Sequence, residues 1–179
     1  MSIQVFDNFL TGEETEKAYE YANNSKNWKL QVSSKTHSTK TISIPFLYLN
    51  VSEKETFFHK TIFSKIKKIV SEKVILQKVY INGQSSGSDG TFHHDECDKT
   101  ALIYLSPYDI EWGGFTEFIV NTNENNSAKN PQIKCVAPFR SSMVVFDSDI
   151  PHKGYSFSYQ HCPIRYSLAY KLKYRFTYS

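Results

Sequence analysis

Arg165-Tyr166-Ser167-Leu168-Ala169-Tyr170-Lys171-Leu172 is a stretch with two unlike sides. Alternate residues of a strand face the same way, so Arg165, Ser167 and Ala169 share one face and Tyr166, Leu168, Tyr170 and Leu172 the other. A charge among small residues suits a cavity, and the bulky face suits contact with helices. Working back along the chain, short β-branched and aromatic runs recur between turn residues: Val74–Ile81, Phe92–Asp95, Thr100–Leu105, Phe115–Val120, Ile133–Val136, Met143–Phe146 and Lys153–Phe157. With Arg165–Leu172 they make about eight short strands, a spacing that predicts a β-sandwich or jelly roll. The aromatic content of 15% fits such pleated faces.

The first part of the chain has a different texture. Thr11 and Glu14 form a capping box that predicts a helix ending near Asn23-Asn24, and Ser52 with Glu55 predicts the start of a longer one. Phe58, Ile62, Ile66 and Ile69 give that second helix one apolar stripe, with Lys60, Lys65, Lys67 and Lys68 on its solvated side. Ile42, Ile44 and Phe46 alternate as a short strand would. Ser33–Lys40 reads as a mobile loop, and Asn121–Asn130 as a loop dense in Asn. At 179 residues one domain is expected, with residues 1–73 as a helical support region and 74–175 as the β core.

A net charge of +3, with both signs interspersed, marks no nucleic-acid stripe but leaves room for an acidic partner. Cys97, Cys135 and Cys162 are isolated and odd in number, which predicts a reducing compartment. The start has no basic segment followed by an apolar run, and no apolar stretch approaches the roughly 18–20 residues of a membrane helix. A soluble, cytoplasmic protein is therefore expected, as a monomer or homodimer, with neither a membrane nor a nucleic-acid partner.

Chemistry concentrates in Gly90-Thr91-Phe92-His93-His94-Asp95 and in Pro151-His152-Lys153-Gly154. His93 and Asp95 stand two apart and, on a strand, project to one side. With His152 they make a two-histidine, one-carboxylate set that fills one face of an octahedron and leaves three positions open. His94 with Glu96 is the same pattern slipped by one residue. Zinc is an alternative metal, since Cys97 and Cys162 lie near the candidate ligands in sequence, but zinc sites usually show tighter Cys pairing. Arg165 is suited to gripping a carboxylate through two parallel hydrogen bonds, with the Ser167 hydroxyl as a third.

In these pieces and their order the chain resembles the iron(II)/2-oxoglutarate-dependent oxygenases, and within them the prolyl 4-hydroxylase-like branch. The resemblance covers roughly Lys78 to Lys173. It is carried by Val79-Tyr80-Ile81-Asn82-Gly83-Gln84, the His93/Asp95 segment, Leu102-Ile103-Tyr104-Leu105-Ser106-Pro107, Trp112-Gly113-Gly114-Phe115-Thr116-Glu117-Phe118, Val144-Val145-Phe146-Asp147-Ser148, the His152 segment and Arg165–Tyr170. It implies a mainly β (α+β) fold, a double-stranded β-helix (jelly roll) with flanking N-terminal helices. It also implies His93, Asp95 and His152 as ligands of iron(II), and Arg165 with Tyr104 on the distal carboxylate of the co-substrate 2-oxoglutarate. Tyr80 would line the site. Dioxygen would be the other co-substrate, with ascorbate to keep the iron reduced. The implied reaction is hydroxylation of a C–H bond, first of a prolyl residue in a protein or peptide. The alternatives are a small-molecule substrate such as a free amino acid, or a non-enzymatic module that binds 2-oxoglutarate. Phe115 departs from the family, many members of which carry Glu in that Gly-Gly-Glu-Thr stretch.

Overall fold

The fold was established from a computed structural model that describes residues 2–32, 45–120, 132–158 and 163–175. The expected loops at Ser33–Lys40 and Asn121–Asn130, the Ile42-Ile44 part of the expected strand, and Cys162 lie outside these residues.

In chain order the elements are β1 (Ile3–Phe6), α1 (Gly12–Asn24), β2 (Lys29–Val32), β3 (Pro45–Asn50), a π-helical run (Phe57–Ile62) continuing into α2 (Phe63–Val70), β4 (Val74–Gln84), β5 (Lys99–Tyr104), β6 (Thr116–Val120), β7 (Gln132–Val136), β8 (Met143–Asp147), β9 (His152–Gly154) and β10 (Arg165–Tyr174). A seven-stranded sheet runs β1-β8-β5-β10-β4-β3-β2, and a three-stranded sheet runs β7-β6-β9. All pairings are antiparallel. This is the expected jelly roll: two facing sheets with the helices outside the larger one.

β10 lies at the centre, between β4 and β5. Its bulky face is buried as its alternation predicts. Tyr166 stacks on Trp28, with ring centroids 5.4 Å apart, and meets the edge of Tyr19. Tyr170 donates a hydrogen bond to the Phe58 carbonyl at 3.0 Å. Leu168 and Leu172 are wholly enclosed.

Four local expectations change. The capping box at Thr11 and Glu14 is present, but Ser52 and Glu55 do not form one. The Ser52 hydroxyl accepts from the Lys54 amide instead, and the helix opens later as a π-helix. The wider π turn also shifts the apolar stripe: Phe58, Ile62 and Ile66 are buried, while Ile69 is 40% exposed. Phe92–Asp95 is not a regular strand. Only His93 makes a β-bridge, because neighbouring amides go elsewhere: that of Gly90 to the Gly154 carbonyl and that of Asp95 to the Ser148 carbonyl. Finally, β1, β2 and β3 precede residue 74 yet join the larger sheet, so the N-terminal part supplies strands as well as helices.

Of the expected solvated lysines, Lys65 reaches the Glu14 carboxylate at 2.5 Å and ties α2 to α1. Among the described residues, no helix is long and apolar enough to cross a membrane. Tyr170→Phe is expected to lower stability by about 1 kcal/mol, the worth of one hydrogen bond, read as a lower urea midpoint with an unchanged slope.

Candidate metal and co-substrate site

The cavity between the sheets, about 1380 Å³, is lined by the polar face of β10 and by residues of both sheets. Register decides who meets whom. Arg165 stands opposite Gln84, Ser167 opposite Asn82 and Tyr104, Ala169 opposite Tyr80 and Leu102, and Lys171 opposite Lys78 and Thr100.

At one end, His93, Asp95 and His152 each offer a ligand atom within 4.8 Å of the others. The long gap in sequence closes through a single antiparallel bridge, in which the His93 and His152 amides donate to each other's carbonyls at 3.1 and 3.0 Å. Nδ1 of His93 lies 2.8 Å from the Thr91 carbonyl, and Nδ1 of His152 lies 2.9 Å from the Ile150 carbonyl. A carbonyl only accepts, so each Nδ1 carries a hydrogen, which leaves Nε2 as the atom of each ring that can bind a metal. Nε2 of His152 lies 3.4 Å from Asp95 Oδ2, and Nε2 of His93 lies 3.8 Å from Asp95 Oδ1. Burial, then the neighbouring His152, push the His93 pKa down and favour its neutral form.

His94 is not part of this group. Its ring is exposed and faces the Asp149 carbonyl at 2.6 Å, and Glu96 is exposed as well. Among the described residues His93, Asp95 and His152 are the one group able to hold a metal, and neither Cys97 nor Cys135 belongs to it.

Asp95 also has partners not anticipated from sequence. Its Oδ2 accepts from the Thr100 hydroxyl at 2.6 Å and from the Lys171 ammonium. Burial alone would raise this carboxyl, but the contacts with His152 and Lys171 outweigh it and hold it well below the usual carboxylate range. Thr100 and Lys171 occupy facing positions on β5 and β10, so β-alternation continued past Ala169 is the signal that would have found Lys171.

At the other end Arg165 is 2% exposed. Its Nε donates to the Gly114 carbonyl at 2.8 Å, Nη1 to Gln84 Oε1 at 2.8 Å and Nη2 to Thr116 Oγ1 at 2.9 Å. A guanidinium has five N–H groups, so one on each Nη remains. Among the described residues none of these bonds goes to a carboxylate. A buried cation with a two-pronged donor edge to spare fits an incoming carboxylate. Gly114 makes this possible: it has φ +72, and a Cβ there would stand 2.5 Å from the Phe157 ring.

Tyr104 is buried behind this group rather than on the cavity wall. Its hydroxyl donates to Thr116 at 2.8 Å, and its ring lies 5.3 Å from the Arg165 guanidinium. Ser167 and Tyr80 line the cavity, as does Asn82, whose side-chain oxygen is buried without a hydrogen-bond partner. Phe115 does not line it.

No protein-family model matches the chain, and no curated protein matches it. Solved structures share its fold. A prolyl hydroxylase from Trichoplax adhaerens, in complex with a hypoxia inducible factor oxygen degradation domain peptide fragment, aligns with a TM-score of 0.66 at 15% identity over 96% of this chain and 83% of that one. The non-heme alpha ketoglutarate dependent epimerase SnoN, from nogalamycin biosynthesis, aligns with a TM-score of 0.67 at 10% identity over 97% and 80%. HygX from Streptomyces hygroscopicus, with nickel and 2-oxoglutarate bound, aligns with a TM-score of 0.63 at 10% identity over 94% and 82%. The chain thus has the fold found among 2-oxoglutarate-dependent iron oxygenases.

Breaking a buried ion pair on one side leaves the other charge unpaired. Asp95→Ala is therefore expected to destabilise the metal-free chain by roughly 3 kcal/mol, and Asp95→Ala with Lys171→Met should recover at least half of that in urea melts with chelator. Because the Asp95 pKa is lowered by folding, its contribution is present above the ordinary carboxylate value of 3.8 and lost as pH falls below it. Metal-free Lys171→Met should accordingly lose less stability than wild type across that acid range.

Proposed function

We propose that this chain is an iron(II)- and 2-oxoglutarate-dependent oxygenase that hydroxylates a C–H bond. One observation carries the reading. A histidine-aspartate-histidine set and a buried guanidinium, bonded to no carboxylate among the described residues, line one cavity, on the fold these enzymes use. His93, Asp95 and His152 would hold the metal, which leaves coordination positions open for the co-substrate and dioxygen. When bound, the iron and 2-oxoglutarate supply the oxidising chemistry.

The chain's own residues bind and orient. Arg165 pairs with the distal carboxylate of 2-oxoglutarate and neutralises its charge in a dry setting. Gln84, Thr116 and the Gly114 carbonyl hold the guanidinium plane, and Tyr104 acts on the same carboxylate through Thr116. Ser167 adds a hydroxyl on the same face. Thr100 and Lys171 hold one oxygen of Asp95, which favours a single metal-ligating oxygen. Tyr80 forms the wall between metal and rim.

For the third reactant, a prolyl residue of a protein or peptide is the first candidate. The peptide complex of the Trichoplax prolyl hydroxylase supports it, and SnoN, an epimerase on the same fold, supports testing small molecules beside it.

The test is succinate formation from 2-oxoglutarate under iron(II), ascorbate and oxygen. Wild type should form it, and His93→Ala and His152→Ala should not. Arg165→Met should need about tenfold or more 2-oxoglutarate, the worth of a charge-assisted pair. His94→Ala should bind manganese like wild type. A wild-type protein that binds manganese and 2-oxoglutarate yet forms no succinate with any peptide or metabolite would sink the reading.

A further inference from the structure

Lys78 and Lys171 stand directly opposite each other on β4 and β10, both on the cavity side. Like charges facing across an antiparallel pair destabilise it, so the pairing calls for a reason. Both ammonium groups gather on one ring: Nζ of Lys78 lies 5.2 Å and Nζ of Lys171 5.7 Å from the centroid of Tyr80. Lys78 also lies 5.1 Å from the ring of Tyr48, which tilts against Tyr80 at 5.0 Å. Among the described residues Lys78 has no ion pair.

Among the described residues the remaining charges do not cancel this pair. Lys153 is matched by Glu117 at 3.4 Å. Arg165 is set aside for the co-substrate. Glu96 is on the cavity lining but exposed. Asp95 is the partner of Lys171 through Oδ2, and a bound metal ion would share that carboxylate's charge. With metal and co-substrate in place, Lys78 would lack a counter-charge among the described residues, and Lys171 beside the same ring would keep only a shared one.

Resting on the oxygenase reading, we propose that the third reactant carries a carboxylate, held by Lys78 and Lys171, with its apolar part against Tyr48 and Tyr80. Two sources supply that chemistry: a small acid such as a free imino acid, or an acidic side chain next to the target residue of a peptide.

The test measures dissociation constants by calorimetry or NMR on the full chain loaded with manganese and N-oxalylglycine. The probes are acid and neutral pairs: N-acetyl-L-proline against its amide, phenylacetate against phenylacetamide, and acetyl-Glu-Pro-Ala-amide against acetyl-Gln-Pro-Ala-amide. At least one acid should bind about tenfold more tightly than its neutral twin, as one charge-assisted contact gives. That preference should fall below about threefold in Lys78→Met, which alters an exposed side chain, and return in Lys78→Arg. A preference confined to the small acids assigns a small-molecule substrate, and one confined to the Glu peptide assigns a peptide. The proposal is overturned if no acid outbinds its neutral twin, a panel in which nothing binds included, or if Lys78→Met keeps the preference. A protein that takes up neither manganese nor N-oxalylglycine fails the oxygenase reading first. One that takes up both and ignores the charge fails only this proposal.

Discussion

A strand that is apolar on one side and cationic on the other must lie between a core and a cavity, and β10 is that strand. Its two faces cannot be exchanged. Slipping its register by one residue would send Arg165 and Lys171 into the helices and Tyr166 and Tyr170 into the polar cavity. Pairing with β4 and β5 on both edges holds the register. The helices, the second sheet and the site are arranged around this one constraint. Burial of Tyr166, Leu168, Tyr170 and Leu172 fixes the outer face, and the inner face then has to find partners for its cations.

Those partners come from both sheets. Arg165 is met by Gln84 of β4 in its own sheet and by Thr116 of β6 in the other. Lys171 is met by Asp95, whose segment is held by the bridge between His93 and His152. The polar groups therefore do what a hydrophobic filling would do in a solid sandwich: they hold the two sheets at a set separation, but leave space between. A buried polar network of this kind is stable only if its members are satisfied. Among the described residues the spare donor edge of Arg165 and the unpartnered oxygen of Asn82 belong to residues that line the cavity, and the Tyr108 hydroxyl is a further buried group without a partner.

Much of this was legible in the chain because it is written in short-range pattern. The β10 alternation, the capping box at Thr11 and Glu14, and the His93/Asp95 spacing need only a few residues of context. Other features depend on partners far away. The Phe92–Asp95 segment has the composition of a strand, but its His93 and Asp95 amides go to the carbonyls of His152 and Ser148 on different stretches, so one bridge forms where four strand residues were expected. β1 is four residues long and gains its place only by pairing with β8. The π-helical run has no local signature in Phe57–Ile62. Tyr104 could be placed near the anchor from sequence, but not behind Thr116. Lys171 stands at the next inward position of β10, one step beyond the face read as Arg165, Ser167 and Ala169. Its partner was not legible, because Asp95 comes from a segment that periodicity alone does not orient.

The Lys171–Asp95 contact joins these threads. A carboxylate placed between two imidazole lone pairs is costly to bury without a cation nearby. Lys171 supplies that cation in the metal-free chain, so the site can fold before any ion arrives. The same ammonium then works against a dication by repulsion and for it by fixing the carboxylate's orientation. Thr100 shares the second task without the charge. A neutral donor alone would have been enough to orient Asp95. The full charge at Lys171 therefore answers the buried Asp95 carboxylate, whereas the second charge opposite it, at Lys78, has no ion pair among the described residues.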